Sequence, residues 1–507
     1  MKLKGKNMKF KIASLLFSGI FLYTSCTTLD EELYDKVQDA NFGQTPSEVE
    51  ALVGGAYSSL RGFKDDISAS YPTSEYVFFL NEVASDEATI PTRGTDWYDG
   101  GQYQEAQRHT WDADNGMILS AWRYCYTGIA KINSIIYQID QSGLSEQAKT
   151  PIKAELRSVR AYYYYQLLDM FGNVPIVTDF EDQELPANSS REEVFQFVET
   201  ELLESIPYLS SEIAYSKFTQ NVGYALLARL YLNSEAFVGV PRWQDCIDAC
   251  RNITGYTLEP DYFANFATEN QTSSEIILAI PYDSDAGTLG NYLNSMSAHY
   301  LHRFTISPIG DYPWSANGIS GQPGAYSKFE DQDVRKKSFL EGEQIHLGTG
   351  SVLIMDNGEP LIYTEEIGNF TNAQQNEGVR LNKYEQKAGE TWERDHDWVV
   401  IRYAEILLMQ AESYVRMGSP DLARPFIDQI TARAGTETPG TIDLDYLNNE
   451  LLREFVFEGK RRTDNIRFGT FFQPWWEKGA TPEYRGIFPI PQVELDKNKN
   501  LVQNPGY

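Results

Sequence analysis

Apolar residues recur at helical spacing in several separate blocks of the chain. The block 121–139 places Trp122 and Ile129 seven positions apart, which is typical of a helix that buries one face. Residues 159–171 form a second block, and Gly172 follows it as glycine commonly follows a helix. These patterns predict a mainly α-helical protein.

Four consecutive tyrosines, Tyr162–Tyr165, stand in the second block. Successive residues of a helix point about 100° apart, so the four rings fan around the helix and cannot form one flat surface for a ligand. Ala161 and Leu168 continue one apolar stripe, and Leu167 lies on another. Because a helix that is apolar on two sides is packed between other elements, we expect these tyrosines in the core, with partners for their hydroxyls.

Two further blocks, 223–253 and 398–434, each predict a pair of helices. With Ala423 at the small position of its second helix, the later pair fits the tetratricopeptide pattern, and Leu407 and Ala411 take the large and small positions of the first helix. Long unlike stretches separate the pairs. The predicted array is therefore interrupted and not a continuous solenoid.

The stretches 80–114 and 261–397 have no helical period and are rich in Gly, Pro, Asn and aromatic residues. Short strands are predicted at 273–283 and 352–355. Long irregular segments in a compact protein usually carry function. We therefore expect residues 26–507 to form a single domain with two parts. The helical scaffold lies mainly at 45–260 and 398–470, and the irregular ligand-binding subdomain lies mainly at 261–397 and 471–507.

The charge balance limits the partners of this protein. Asp and Glu outnumber Lys and Arg 72 to 43, a formal net charge of −29. Nucleic acid and anionic lipid both require a positive field, so neither is expected as the main partner. Aromatic residues make up 13% of the chain, which is consistent with tight helix packing and with recognition of the apolar faces of sugars.

The N-terminus has the pattern of a secretory signal. Five lysines precede the apolar run 12–23, which is too short to span a membrane, and small residues follow before Cys26. We expect residues 1–25 to be a lipoprotein signal peptide and Cys26 to be lipidated. A plain secretory signal cleaved elsewhere stays open as the alternative, and translation from Met8 would preserve either signal.

The other cysteines are Cys125, Cys246 and Cys250. Cys246 and Cys250 stand one helical turn apart, which favours two buried thiols over a disulfide bridge.

His299 and His302 could meet as metal ligands, but no third ligand suggests itself. The stretches 112–116 and 283–287 resemble calcium loops without completing one. We predict no metal and no cofactor, although a structural calcium stays open.

No nucleophile elbow, zinc-protease motif, Walker A loop or dinucleotide fingerprint is found in the chain. Glycoside hydrolysis needs only two carboxylates at a set separation. Because the chain has 72 acidic residues, its sequence neither shows nor excludes such a pair.

Residues 453–469 are rich in charge and predict an internal ion network, with Glu458 and Arg462 at helical pairing distance.

Aromatic residues beside polar ones in the irregular segments are the best candidates for a site, because sugars offer C–H faces to rings and hydroxyls to polar groups. For Trp97 and Trp314 we favour a binding ring over a buried loop anchor. For the tyrosines both interpretations stay open. The candidates are Arg93, Asp96, Trp97, Tyr98, Tyr292, Tyr300, Trp314 and Asn317.

Segments spread over nearly the whole chain resemble the SusD/RagB family of Bacteroidetes surface glycan-binding lipoproteins. Among them are "RAYYYYQLLDMFGNVPIV" at 160–177, "REFVFEGKRRTDNIRFG" at 453–469 and the closing "IFPIPQVELDKNKNLVQNPGY" at 487–507, and the resemblance rests on their order along the chain. The acidic "LDEE" after Cys26 is similar to the surface-export tag of such lipoproteins.

The resemblance implies a mainly helical fold with tetratricopeptide-like pairs on one side and an irregular ligand-binding side. It also implies a non-catalytic protein on the outer face of the outer membrane, which binds oligosaccharides and delivers them to a SusC-like TonB-dependent transporter. In the family, glycan-stacking aromatics come from the two irregular regions that contain Trp97 and Trp314. The alternatives that stay open are a surface glycoside hydrolase and a helical scaffold that binds only proteins.

Overall fold

The structure is a computed structural model. It describes residues 45–64, 72–283, 286, 288, 290–291, 293–304, 315–346, 349–385 and 395–507. Three of the predicted positions, Cys26, Tyr292 and Trp314, lie outside the described residues, as does the predicted signal peptide.

Fifteen α-helices lie within the described residues, and several of them begin where a side chain satisfies the first free N–H groups. Asn115 accepts from the amides of Met117 and Ile118, and Ser190 forms a capping box with Glu193. The helices are α1 Pro46–Ser59, α2 Thr73–Glu82, α3 Gln102–Arg108, α4 Gly116–Gln141, α5 Glu146–Met170, α6 Arg191–Ser205, α7 Gln220–Leu232, α8 Ser234–Val238, α9 Trp243–Arg251, α10 Leu293–Ser297, α11 Tyr403–Arg416, α12 Pro420–Ala434, α13 Leu444–Phe455, α14 Arg461–Arg467 and α15 Gln492–Lys497.

The strands of the described residues are short and pair two by two. β2 pairs antiparallel with β8, β1 with β3, β4 with β7, and β5 with β6. The β2–β8 pair leads directly into α11, so it joins the irregular segment to the helices. The strands are β1 Ala88–Thr89, β2 Ile276–Ile280, β3 Ser320–Gly321, β4 Phe339–Leu340, β5 Gly342–Glu343, β6 Ile362–Tyr363, β7 Arg380–Leu381 and β8 Trp398–Arg402.

The tyrosine block lies in α5 and is core, as predicted. All four of Tyr162–Tyr165 are buried, and α5 packs against both α4 and α6. Tyr164 donates to the backbone oxygen of Val177 and accepts from its amide. Tyr163 lies so close to Gly128 of α4 that a Cβ there would stand 2.2 Å from the ring, which only glycine avoids.

The later helix pair is α11 and α12, which pack side by side. Leu407, Ala411 and Ala423 are all buried between them, in agreement with the tetratricopeptide-like match. The earlier pair is α7 and α9, with the short α8 between them in the chain. Within the described ranges, every helix of seven or more residues falls in 46–251 or 403–467. These helices make up most of the regular structure, so the fold is mainly helical with a few short strands.

The predicted internal ion network exists, but its pairing differs. Glu458 binds Arg402 and Lys383, and all three side chains are fully buried. Arg462 binds Asp169 of α5 instead of Glu458. The predicted Glu458–Arg462 pair assumed one continuous helix, whereas α13 ends at Phe455 and α14 begins at Arg461, so these side chains do not share a helical face.

The cysteines behave as the sequence predicts. Cys125, Cys246 and Cys250 are free thiols and all are buried. Burial raises the pKa of Cys125 and of Cys250 above the ordinary thiol value, so these groups are protonated packing residues. Among the described helices, none is both long and apolar enough to cross a membrane.

Candidate functional site

The loop before α3 begins with a tight reversal of the chain. Arg93 and Asp96 exchange two backbone hydrogen bonds, of 3.1 and 3.0 Å, around Gly94 and Thr95. Gly94 has φ +63°, a left-handed conformation that glycine adopts without strain. This turn leaves Asp96 exposed at its end and sends the chain into the fold at Trp97.

Trp97 is a buried loop anchor, and the expectation of an exposed binding ring is wrong for it. Its side chain is 8% exposed, and its Nε1 donates to the backbone oxygen of Ala316 at 2.7 Å. The ring lies on Gly318, where a Cβ would stand 2.3 Å from it. The glycine-rich sequence around Trp97 suggested exposure, but it could not show that the loop folds onto the segment 315–320.

Arg93 is buried as well and does not face a ligand as the sequence predicts. Its guanidinium donates to the backbone oxygens of Asn317, Gly318 and Glu377 at 2.9, 2.7 and 2.8 Å. It also donates to the Ser320 hydroxyl at 2.8 Å. Burial holds the pKa of Arg93 well below its usual range. Because these guanidinium N–H groups donate to acceptors inside the protein, Arg93 stabilises the buried side of the loop.

Asn317 is fully buried and does not face a ligand either. Its side-chain oxygen accepts from Arg380 at 2.9 Å, and its side-chain nitrogen donates to the backbone oxygen of Gln375 at 3.0 Å. The expectation of a polar sugar contact at Asn317 is therefore wrong. An amide flanked by small residues looked like a loop residue in sequence, whereas it fills a buried junction of three segments.

Arg380 is the residue of this junction that the sequence did not reveal. It lies in β7 and is fully buried, and burial lowers its pKa to about 10. It donates to the hydroxyl of Ser320 at 3.0 Å and to the backbone oxygen of Gln375 at 2.9 Å, and its guanidinium lies over the ring of Tyr363. Strand alternation places Arg380 on the face opposite the apolar Val379 and Leu381, so the sequence pattern predicted an outward position and gave no signal of its burial.

The exposed face of the loop consists of Asp96, Tyr98 and Asp99. Tyr98 is 56% exposed, so its ring is available to a ligand. Tyr300, which is partly exposed, donates its hydroxyl to the Asp96 carboxylate and so ties the turn Tyr300–Phe304 to the loop. Burial and the bond to Asp96 raise the pKa of Tyr300, so this hydroxyl stays a donor.

We call Asp96, Tyr98, Asp99 and Tyr300 the loop face. It offers one open aromatic ring beside two carboxylates, which are the groups that bind the C–H faces and the hydroxyls of a sugar. Partial burial and the neighbouring Asp96 raise the pKa of Asp99 above its ordinary value. Of the eight predicted site residues, Asp96, Tyr98 and Tyr300 lie together on this surface.

His299 and His302 flank Tyr300 but do not form a metal site. His299 Nε2 lies 2.9 Å from the side-chain oxygen of Gln375, and the His302 ring stacks on Tyr363. Burial lowers the pKa of each histidine to about 4, so both are neutral at pH 7. Within the described part of the chain, no group of three or more potential ligands could hold a metal ion.

The family of this chain follows from its match to known families. The model of the SusD family matches residues 244–507, just over half of the chain. A second model, described as starch-binding associating with outer membrane, matches residues 68–232. The chain therefore belongs to the SusD family, as the sequence resemblance predicted.

Curated relatives align over nearly the full length. The starch-binding protein SusD of Bacteroides thetaiotaomicron is 24% identical, with 99% of this chain and 100% of the relative covered. SusD-like protein P2 of Formosa agariphila is 23% identical, with 98% and 100% covered.

Solved structures show the same fold. A laminarin-binding SusD-like protein superposes with a TM-score of 0.74 at 24% identity, covering 92% of this chain and 100% of its own. Surface glycan-binding protein A from Bacteroides thetaiotaomicron, in complex with laminarihexaose, gives a TM-score of 0.73 at 22% identity, with 90% and 99% covered. The mainly helical SusD-like fold is thereby confirmed.

Proposed function

We propose that this protein binds a polysaccharide or oligosaccharide at the cell surface without cleaving it, and delivers the glycan to a SusC-like TonB-dependent transporter. The observation that carries this proposal is membership of the SusD family, together with alignment over almost the whole chain to relatives named for starch binding. Structural neighbours named for laminarin and glycan binding support it.

The loop face supports the same function chemically. Tyr98 can stack against the C–H face of a sugar ring, and the carboxylates of Asp96 and Asp99 can accept hydrogen bonds from hydroxyls. Tyr300 holds Asp96 in place through its hydroxyl. The buried Arg93 below the turn fixes the backbone that carries these groups, which reduces the ordering cost of binding.

Binding is tested by isothermal titration with a panel of neutral glucans. Replacement of one ring of a binding site commonly costs about 1–3 kcal/mol, roughly ten- to hundredfold in affinity, and we expect this loss for Tyr98→Ala. Tyr208→Ala is the matched control, because Tyr208 is also 56% exposed but lies after α6 on the helical scaffold. Equal affinities of the two variants would contradict a glycan site at the loop face.

The hydrolase alternative has one observation in its favour, the raised pKa of Asp99 beside a second carboxylate, since glycoside hydrolysis uses one protonated and one ionised acid. The assay is release of reducing ends during long incubation with each glucan. We expect no release by the wild type. Release that Asp99→Asn abolishes would establish catalysis and overturn the binding-only proposal. Failure to bind any glycan would favour the scaffold alternative.

Attachment through a lipid at Cys26 and display on the outer face are part of the proposal. The support is the signal pattern with its acidic "LDEE" continuation and the family model described as associating with outer membrane. Cys26→Ala should move the protein out of the membrane fraction, and antibody labelling of intact cells should fall with it. Membrane retention of Cys26→Ala would contradict the lipid anchor. Co-purification of the transporter with the wild type from its native cells tests delivery.

A further inference from the structure

A cleft opens beside the 3₁₀ turn Tyr262–Phe266. Its volume is about 710 Å³, within the range of roughly 300–1,000 Å³ that small-molecule sites occupy. The cleft is lined by residues of the turn, by Leu340 of β4, by residues 343–345 and by the segment 382–385. No part of the proposed function uses this cleft.

The walls of the cleft carry apolar side chains that are open to solvent. Phe263 and Leu340 line the cleft and are half-buried. Ile345 also lines it and is 44% exposed. Solvent-accessible apolar groups that gather in one concave surface mark a binding site more strongly than apolar groups scattered singly.

Ile345 is held by a small closed arrangement of three extended segments, which are joined by isolated bridges. Gln344 donates its amide to the oxygen of Leu361, Leu361 donates to Leu353, and Leu353 donates back to Gln344, at 2.9, 2.8 and 2.9 Å. These three residues point inward and are buried. Because side chains alternate along a strand, the next residue on each segment points outward. Ile345 is thus presented to the cleft by a hydrogen-bonded frame.

The charges around the cleft are acidic. Asp261, Glu343 and Glu385 line it, and all three are exposed. The cation of the lining, Lys383, is buried and binds the Glu458 carboxylate at 2.5 Å and the backbone oxygen of Val456 at 2.8 Å, so its charge is neutralised inside the protein. His302 also lines the cleft and is neutral at pH 7.

We propose that this cleft is a second saccharide-binding site, which takes neutral or amine-bearing sugars and rejects anionic ones. Phe263 and Ile345 would contact the C–H face of a sugar ring, and the carboxylates would accept from its hydroxyls or from an amine. A uronate or sulfate group would be repelled by three carboxylates without a free cation among the lining residues.

The inference rests on the proposed function, because it assumes that the protein binds glycans. The two sites are linked through the turn Tyr300–Phe304. Tyr300 belongs to the loop face, and His302, two positions later, lines the cleft. We therefore expect each site to take its own short glycan, which gives two separate binding events.

The first experiment is isothermal titration of the purified protein with laminarihexaose. We expect two binding events in the wild type. Ile345→Ala should weaken one event about fivefold, since it removes apolar contact area from the wall, and Tyr98→Ala should weaken the other. Ile354→Ala is the matched control, because Ile354 is 49% exposed on the same hydrogen-bonded frame but does not line the cleft.

The outcomes separate the two proposals. A single event that Ile345→Ala leaves unchanged overturns the cleft site while the proposed function stands. Absence of binding by the wild type to every glucan and to chitosan hexaose overturns both. If Ile354→Ala weakens binding as much as Ile345→Ala, the loss comes from a disturbance of the whole hydrogen-bonded frame, and this result also overturns the cleft site.

The second experiment tests the charge selectivity with trigalacturonate. Glu343→Lys should increase its affinity at least fivefold, because one repulsive charge becomes an attractive one. The control is Glu359→Lys, which makes the same charge change at an exposed position that does not line the cleft. An equal gain in both variants would show a general field effect and overturn the claim of selectivity at the cleft.

Discussion

Replacing Trp97 by alanine should destabilise the fold, in contrast to what its place in a glycine-rich loop suggests. The side chain is 8% exposed, and truncation of a buried aromatic residue to alanine costs roughly 3–5 kcal/mol. The variant also leaves the buried backbone oxygen of Ala316 without the indole donor that stands 2.7 Å away, an additional cost of about 1–3 kcal/mol. We therefore expect the free energy of unfolding to fall by about 5 kcal/mol.

The assay is urea unfolding followed by circular dichroism, in parallel with a thermal scan. The unfolding entropy of globular proteins is about 2.1 cal/mol/K per residue, so a chain of this length has about 1 kcal/mol/K and the melting temperature should fall by about 5 °C. Tyr98→Ala, one position later, should change the free energy of unfolding by less than about 0.5 kcal/mol, because its side chain is exposed.

The two adjacent substitutions should thus separate stability from binding. Trp97→Ala lowers stability, whereas Tyr98→Ala lowers glycan affinity at nearly constant stability. Tyr164→Ala, in the core of α5, should resemble Trp97→Ala. If Trp97→Ala unfolded at the urea concentration of the wild type but no longer bound glycan, the ring would be a binding surface, and the burial argument would be refuted.

Three further predictions concern the same region and its supports. Burial beside Glu82 raises the pKa of Glu87 well above its ordinary value. A raised folded-state pKa contributes stability that is complete below the unfolded pKa and is lost as pH rises through the folded pKa. In urea unfolding, Glu87→Gln should therefore gain stability relative to the wild type from pH 5 to pH 8, and a pH-independent difference would contradict this. Gly318→Ala should lower the melting temperature more than Gly440→Ala by differential scanning fluorimetry, because its Cβ would meet the Trp97 ring at 2.3 Å whereas nothing lies within 4 Å of a Cβ at Gly440. Equal values would show that the ring moves aside. Tyr300→Phe should weaken glucan binding about threefold in titration by releasing Asp96, and unchanged affinity would show that Asp96 does not need this bond.

Local pattern was sufficient for the scaffold of this protein. Helical periodicity identified α5 with its four buried tyrosines, and small residues at matched positions identified the α11–α12 pair. These features depend on residues within a few turns of one another, and the burial of an amphipathic face follows from its spacing. The acidic charge and the ordered family segments were equally available from the sequence, and the latter led to the correct family.

The composition of the site was decided by contacts between distant segments. Trp97, Arg93 and Asn317 looked alike in sequence to Tyr98 and Asp96, because all lie in polar, glycine-containing loops. Their different roles arise when the loop at 93–99 docks onto residues more than two hundred positions later. The N–H donors of a buried guanidinium must be satisfied by hydrogen bonds. Only the folded chain shows that backbone oxygens accept these hydrogen bonds from Arg93. The sequence could therefore identify the region of the site but not the face that meets a ligand.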